Sequence, residues 1–174
     1  MWSYGPTTER FFTAEQLAQV EALFLAIFPG DDKSPSAKDA RAADYLDHFL
    51  AIDEAAYYEI KGWKNLYPQA LTALNAAAVA QFEGRTLAQL STDEVTALLK
   101  QLAAGTLTGF PEGFDQKGFF TTLRGHCIEG CFGDSRWGGN QNTVIWRWYG
   151  YLQPATEFRR MPQTPQEVGR HEDK

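Results

Sequence analysis

Gln116-Lys117-Gly118-Phe119-Phe120-Thr121-Thr122-Leu123-Arg124-Gly125-His126-Cys127-Ile128-Glu129-Gly130-Cys131-Phe132 is the stretch on which the reading of this chain turns. Phe120, Leu123, Cys127 and Cys131 fall at helical spacing, which predicts one helix from about Gln116 to Phe132 with a single apolar face. Gly118, Gly125 and Gly130 work against it, since an interior glycine weakens a helix by roughly 1 kcal/mol relative to alanine. Three in one helix imply that another backbone, or a bulky aromatic ring, packs closely there.

Outward from this stretch the pattern stays helical. Thr13 with Gln16 reads as a capping box, and Leu17, Val20, Phe24 and Ile27 repeat on one face until Pro29-Gly30. Ser34-Pro35 fits an N-cap followed by proline at the first helical position, with Tyr45, Leu46, Phe49 and Leu50 as the stripe behind it. The aromatic stretch 52–65, interrupted by Gly62, predicts no single element. The alanine-rich run from about Pro68 to Phe82 is a helix that Gly84 stops. Ser91 with Glu94 forms a second capping box, with Val95, Leu98, Leu99 and Leu102 inward and Gly105 at the end.

After the central stretch, Asp134 to Asn142 is a polar, glycine-rich turn, and Thr143 to Gly150 is a last short helix. Val144 to Tyr149 has the propensity of a strand, but a lone strand has nothing to pair with. The fold class is therefore all-α, a single domain of about five to six helices over residues 1–153 with long loops. An extended, proline-punctuated polar tail follows over 154–174; its composition cannot support a core, and it is expected to lie along a partner subunit.

Bulk properties narrow the function classes. A chain of 174 residues that is 44% hydrophobic and 14% aromatic can bury a core without staples. The net charge of −6 comes with no concentration of Lys and Arg, so no nucleic-acid footprint is present. No apolar run approaches the ~20 residues that span a bilayer, so direct membrane insertion is not expected. The opening Met-Trp-Ser-Tyr-Gly-Pro carries no basic n-region, h-region or twin arginine. A chain that stays inside, one whose signal has been cut away and one carried across by a partner all remain open.

Several side chains could carry chemistry. His126 and Glu129 share a helical face, but di-iron bundles need a second Glu-x-x-His motif and further inward carboxylates. His48 beside Asp44 and Asp47 reads as the polar face of a helix, and His171 falls in the tail. A buried, hydrogen-bonded role suits His126 better than metal ligation. Cys127 and Cys131 read as small buried hydrophobes; His126 points about 100° away from Cys127, too far round for a thiolate–imidazolium pair. A metal or thiol enzyme using His126, Cys127, Glu129 and Cys131 is one rival reading. A carbohydrate-binding module stacking sugars on Trp137, Trp146, Trp148, Tyr149 and Tyr151 is another; Trp and Tyr more commonly anchor core or protein contacts.

Phe119, Phe120, Glu129, Gly130, Asp134, Gly138, Gly139, Asn140, Trp146 and Gly150 occur in the order found in the gluconate 2-dehydrogenase subunit 3 family, which this chain resembles. Phe11 to Glu15, Phe28 to Asp32 and Ala43 to Asp47 resemble that family's opening and second helix, so the likeness covers roughly 11–152. Ser135 stands where proline is usual and Trp137 where tyrosine is. The resemblance implies a non-catalytic small subunit that stabilises, or helps fold or export, a large flavoprotein of the glucose-methanol-choline type. That partner would hold the FAD and the catalytic histidine of a sugar or sugar-acid dehydrogenase, with no cofactor in this chain. In many relatives a cytochrome c subunit passes the electrons on, and the complex is periplasmic. Within the shared motif His126, Glu129, Gly130, Asp134, Gly138 and Gly139 are expected to be structural. Arg136, Trp137, Asn140, Trp146, Trp148 and Tyr149 are expected at the partner interface.

Overall fold

The computed structural model describes residues 9–151, so the expected tail at 154–174 lies outside the described residues. Among them six α-helices form and no strand does: α1 (Ala14–Ile27), α2 (Ala42–Ala51), α3 (Ile60–Gln81), α4 (Thr92–Ala104), α5 (Gln116–Phe132) and α6 (Val144–Trp148). Short 3-10 turns at Glu54–Ala56, Leu87–Gln89, Ser135–Trp137 and Gln141–Thr143 fill the connections. The all-α expectation holds.

Both capping boxes form as the sequence predicts. At α1 the Gln16 amide donates to Thr13 Oγ1 at 3.2 Å and the Thr13 amide to Gln16 Oε1 at 3.1 Å. At α4 the Ser91 amide donates to Glu94 Oε2 at 2.8 Å, and Arg85 grips the same carboxylate through both terminal nitrogens. That clamp, with the Ser91 bonds, holds the Glu94 carboxyl down at about 2. Gly105 closes α4 at φ 73°, a left-handed cap that a side chain would strain.

α5 lies against α2 and α4, while α1 packs on α4 and α2. Its inward residues are Phe119, Leu123, Cys127 and Cys131, all buried. Phe120, expected inside, is only partly buried, and its neighbour Phe119 takes the core position against Tyr67 and Phe114.

Two boundaries differ from the sequence reading. α3 begins at Ile60, two turns before Pro68, and the proline sits inside the helix. Pro68 has no N–H for the Lys64 carbonyl, yet buried Ile60 and Tyr67 extend the apolar face upstream, and packing outweighs the missing bond. Ser34-Pro35 does not start a helix. Ser34 pairs back with Asp31, Ser36 exchanges bonds with Asp39, and Arg41 at φ 52° interrupts the turn before α2 begins at Ala42.

Candidate functional site

The turn after α5 is built from the end of that helix outward. Asp134 accepts the Arg136 amide at 2.9 Å, capping the 3-10 turn, and clasps the Arg136 guanidinium at 2.8 Å. The guanidinium in turn keeps the Asp134 carboxyl below the usual carboxylate range. Gly138 follows at φ 99°; a side chain there would meet His48 Cδ2 at 2.8 Å. Gly139 lies directly on the Gly130 carbonyl, and a Cβ on Gly130 itself would stand 2.6 Å from the Ala42 carbonyl oxygen. Two backbones therefore approach α5 at one point, which is why glycine occupies 130 and 139.

Asn140 locks the turn. Its amide donates to the Gly130 carbonyl at 2.8 Å and its Nδ2 to the Gly133 carbonyl at 3.1 Å, while its Oδ1 accepts the Ile145 amide at 3.0 Å. The residue is 0% exposed and sits at φ 41°, in the left-handed region where Asn is better tolerated than most side chains. The expectation that Asn140 faces a partner is therefore corrected: three bonds turn it inward. Asn142 at φ 53° and Thr143 at φ 55° continue the left-handed run, and for β-branched Thr143 this is a strained backbone. The strain sets the direction of α6. Trp146, half-buried, donates through Nε1 to the Phe132 carbonyl at 2.7 Å, tying α6 to the last turn of α5.

Turned away from this scaffold are the other residues expected at an interface. The Arg136 side chain is 77% exposed, Trp137 39%, Trp148 47% and Tyr149 73%. Tyr151, packed edge-on against Trp146, is also open to solvent, as are Ile128 and Phe132 on α5. A helix that turns such rings outward exposes apolar surface at a cost of roughly 25 cal/mol per Å².

His126 sits on the other flank. The Tyr67 hydroxyl lies 2.7 Å from His126 Nδ1, both side chains are buried, and Trp63 stands edge-on to the imidazole at 4.5 Å. Burial pushes the His126 imidazole down to about 4, with the charge of Glu59 opposing, and pushes the Tyr67 phenol up. The imidazole is thus neutral, and its tautomer sets which of the two groups donates in the bond to the phenol. Cys127 and Cys131 are free and buried, as read from the sequence. The hydrogen bond with Cys131, then burial, drive the Cys127 thiol upward, away from the thiolate that nucleophilic chemistry needs. Glu129 instead faces outward and accepts the Tyr45 hydroxyl at 3.1 Å. Cys127 and Cys131 thus pair with each other in the core, His126 pairs with Tyr67 and Glu129 faces out to Tyr45, and no cluster of three or more such side chains suited to a metal forms among the described residues.

The sequence reading missed one set of residues. Asp44 and Asp47 read in the sequence as the polar face of a helix, yet both are buried. Asp47 Oδ1 accepts the Phe11 and Phe12 amides at 2.8 and 2.7 Å, and Arg10 bridges Asp47 and Asp44 at 3.0 and 2.6 Å. The signal in the sequence was Arg10 next to two phenylalanines: the rings pack inward while the guanidinium, itself 44% exposed, closes over the carboxylates from the surface.

Fold and turn together define a small all-α protein in which two glycine-lined backbones and a buried asparagine hold an aromatic-bearing turn. Compared with models of protein families, residues 14–153 match the one described as Gluconate 2-dehydrogenase subunit 3. The chain belongs to the gluconate 2-dehydrogenase subunit 3 family, and so to the subunits of a dehydrogenase complex. No curated protein and no solved structure matches it.

Proposed function

We propose that this chain is the small, non-catalytic subunit that binds and stabilises the FAD-bearing, glucose-methanol-choline-type catalytic subunit of a sugar or sugar-acid dehydrogenase, and that it holds no cofactor itself. The observation that carries this reading is the contrast along the stretch from the end of α5 through the turn to α6. Asn140, Gly130 and Gly139 are locked inward, while Arg136, Trp137, Trp148 and Tyr149 are held outward on the same scaffold. Trp, Tyr and Arg are the residue types that dominate binding energy at protein interfaces, and a preorganised surface spends less free energy on ordering when it docks. A companion that binds only the folded flavoprotein stabilises it by mass action. The family's place in a dehydrogenase complex supports a partner of this kind.

The test is purification of the tagged chain from its native host, with the captured large subunit assayed for FAD and for sugar dehydrogenase activity. Capture of an FAD protein by the wild-type chain, lost with Arg136→Ala/Trp148→Ala, is the expected result. Equal amounts of soluble, active flavoprotein with and without this chain would refute the stabilising role.

A further inference from the structure

α2 carries Asp44, Asp47 and His48 at i, i+3 and i+4, so all three lie on neighbouring parts of one face. The strap 9–12 crosses that face. Arg10 bonds both carboxylates, Asp47 takes the Phe11 and Phe12 amides on one oxygen, and His48 Nδ1 lies 3.0 Å from the Glu9 carbonyl. Phe12 is buried and meets Tyr67 edge-on at 5.8 Å. His48 has a second neighbour on its other edge. Gly138 of the turn lies so close that a Cβ there would stand 2.8 Å from His48 Cδ2 and 3.5 Å from the Asp44 carbonyl oxygen.

The imidazole is thus wedged between the strap and the turn, and the Asp44 that holds Arg10 is the same residue whose backbone seats Gly138. We propose that docking of the strap 9–12 on α2 sets the conformation of the 134–140 turn, with His48 as the positioning residue that links them. With the strap bound, the Glu9 carbonyl fixes the ring and Gly138 has a hard seat. With the strap lifted, the ring gains rotamers, Asp44 loses the Arg10 contact, and the turn carrying Arg136 and Trp137 loosens. Docking and release of the strap then control the docking surface. This control rests on the docking role proposed for the turn; the mechanical link between strap and turn stands independently of it.

Hydrogen exchange of the full chain tests the link. In Arg10→Gln the Phe11 and Phe12 amides are expected to exchange at least about tenfold faster, as loss of a charge-assisted bond implies. The Trp137, Gly138 and Asn140 amides should accelerate with them, while Leu98 and Leu102 in α4 stay unchanged. In a His48→Ala background the turn amides should no longer respond to Arg10→Gln. A loosened strap beside an unchanged turn would overturn the proposal, as would a response that survives His48→Ala. Phe11→Ala reads the same coupling if Arg10→Gln loosens the whole fold, and acceleration of the α4 amides in both variants would count against a local device. Failure of the docking role shows itself separately, as a wild-type chain that captures no flavoprotein.

Discussion

Two glycines of α5 look alike in sequence and differ in surroundings. Gly130 is pressed between Ala42 and Gly139, whereas among the described residues nothing beyond its own stretch of helix comes within 4 Å of a side chain built on Gly125. Gly130→Ala should cost roughly 2–4 kcal/mol, because backbone on both sides must shift. Gly125→Ala should stabilise the isolated chain by about 0.5–1 kcal/mol through helix propensity alone. Urea denaturation of the two variants checks the contrast, and equal effects would mean that the packing at Gly130 is misassigned. The expectation of close packing at all three α5 glycines thus holds at Gly130 and not at Gly125; at Gly118 the near neighbour is the capping Asp115 side chain. His126 gives a second residue-scale prediction. Its folded pKa is about 4 against an ordinary 6.5, so the unfolded chain takes up the proton first as pH falls. Its contribution is complete above about pH 6.5 and is lost as the pH drops to about 4, amounting to about 3 kcal/mol at ~1.4 kcal/mol per unit. Denaturation curves across that range should be flatter for His126→Gln than for wild type.

At the scale of elements, local signals were legible where a few neighbouring residues decide the outcome. Thr13 with Gln16 and Ser91 with Glu94 start α1 and α4 as predicted, because a capping box is satisfied within one turn. Ser91→Ala should therefore cost about 1 kcal/mol, read as a lower thermal midpoint. The start of α3 was not legible, because proline is ordinarily a first-turn residue and only burial of Ile60 and Tyr67 carries the helix past Pro68. α6 has the opposite character. It is five residues long, follows three left-handed non-glycine residues, and is held by Asn140 and the Trp146 bond to Phe132. Asn140→Ala should release it, lowering stability by roughly 2–3 kcal/mol through two lost side-chain bonds and a left-handed backbone that alanine tolerates poorly.

For the molecule as a whole, the separation of a locked scaffold from an open aromatic face predicts separable variants. Trp148→Ala and Tyr149→Ala remove exposed rings and should leave the thermal midpoint nearly unchanged, as surface substitutions usually do. The same variants should reduce recovery of the flavoprotein tenfold or more if either ring is a hot spot worth about 2 kcal/mol. Loss of stability together with recovery would show instead that the rings serve the fold.

Periodicity, capping boxes and the ordered motif determined the helical class, most element positions and the family, because each depends on residues near one another in sequence. Tertiary structure alone decided that Asn140 points inward and that Asp44 and Asp47 are buried under Arg10. It also joined His48, Gly138 and the strap at one place. Those outcomes depend on distant backbones meeting on α2 and α5, and a buried carboxylate or amide reads like a surface one until its partners have been brought to it by packing.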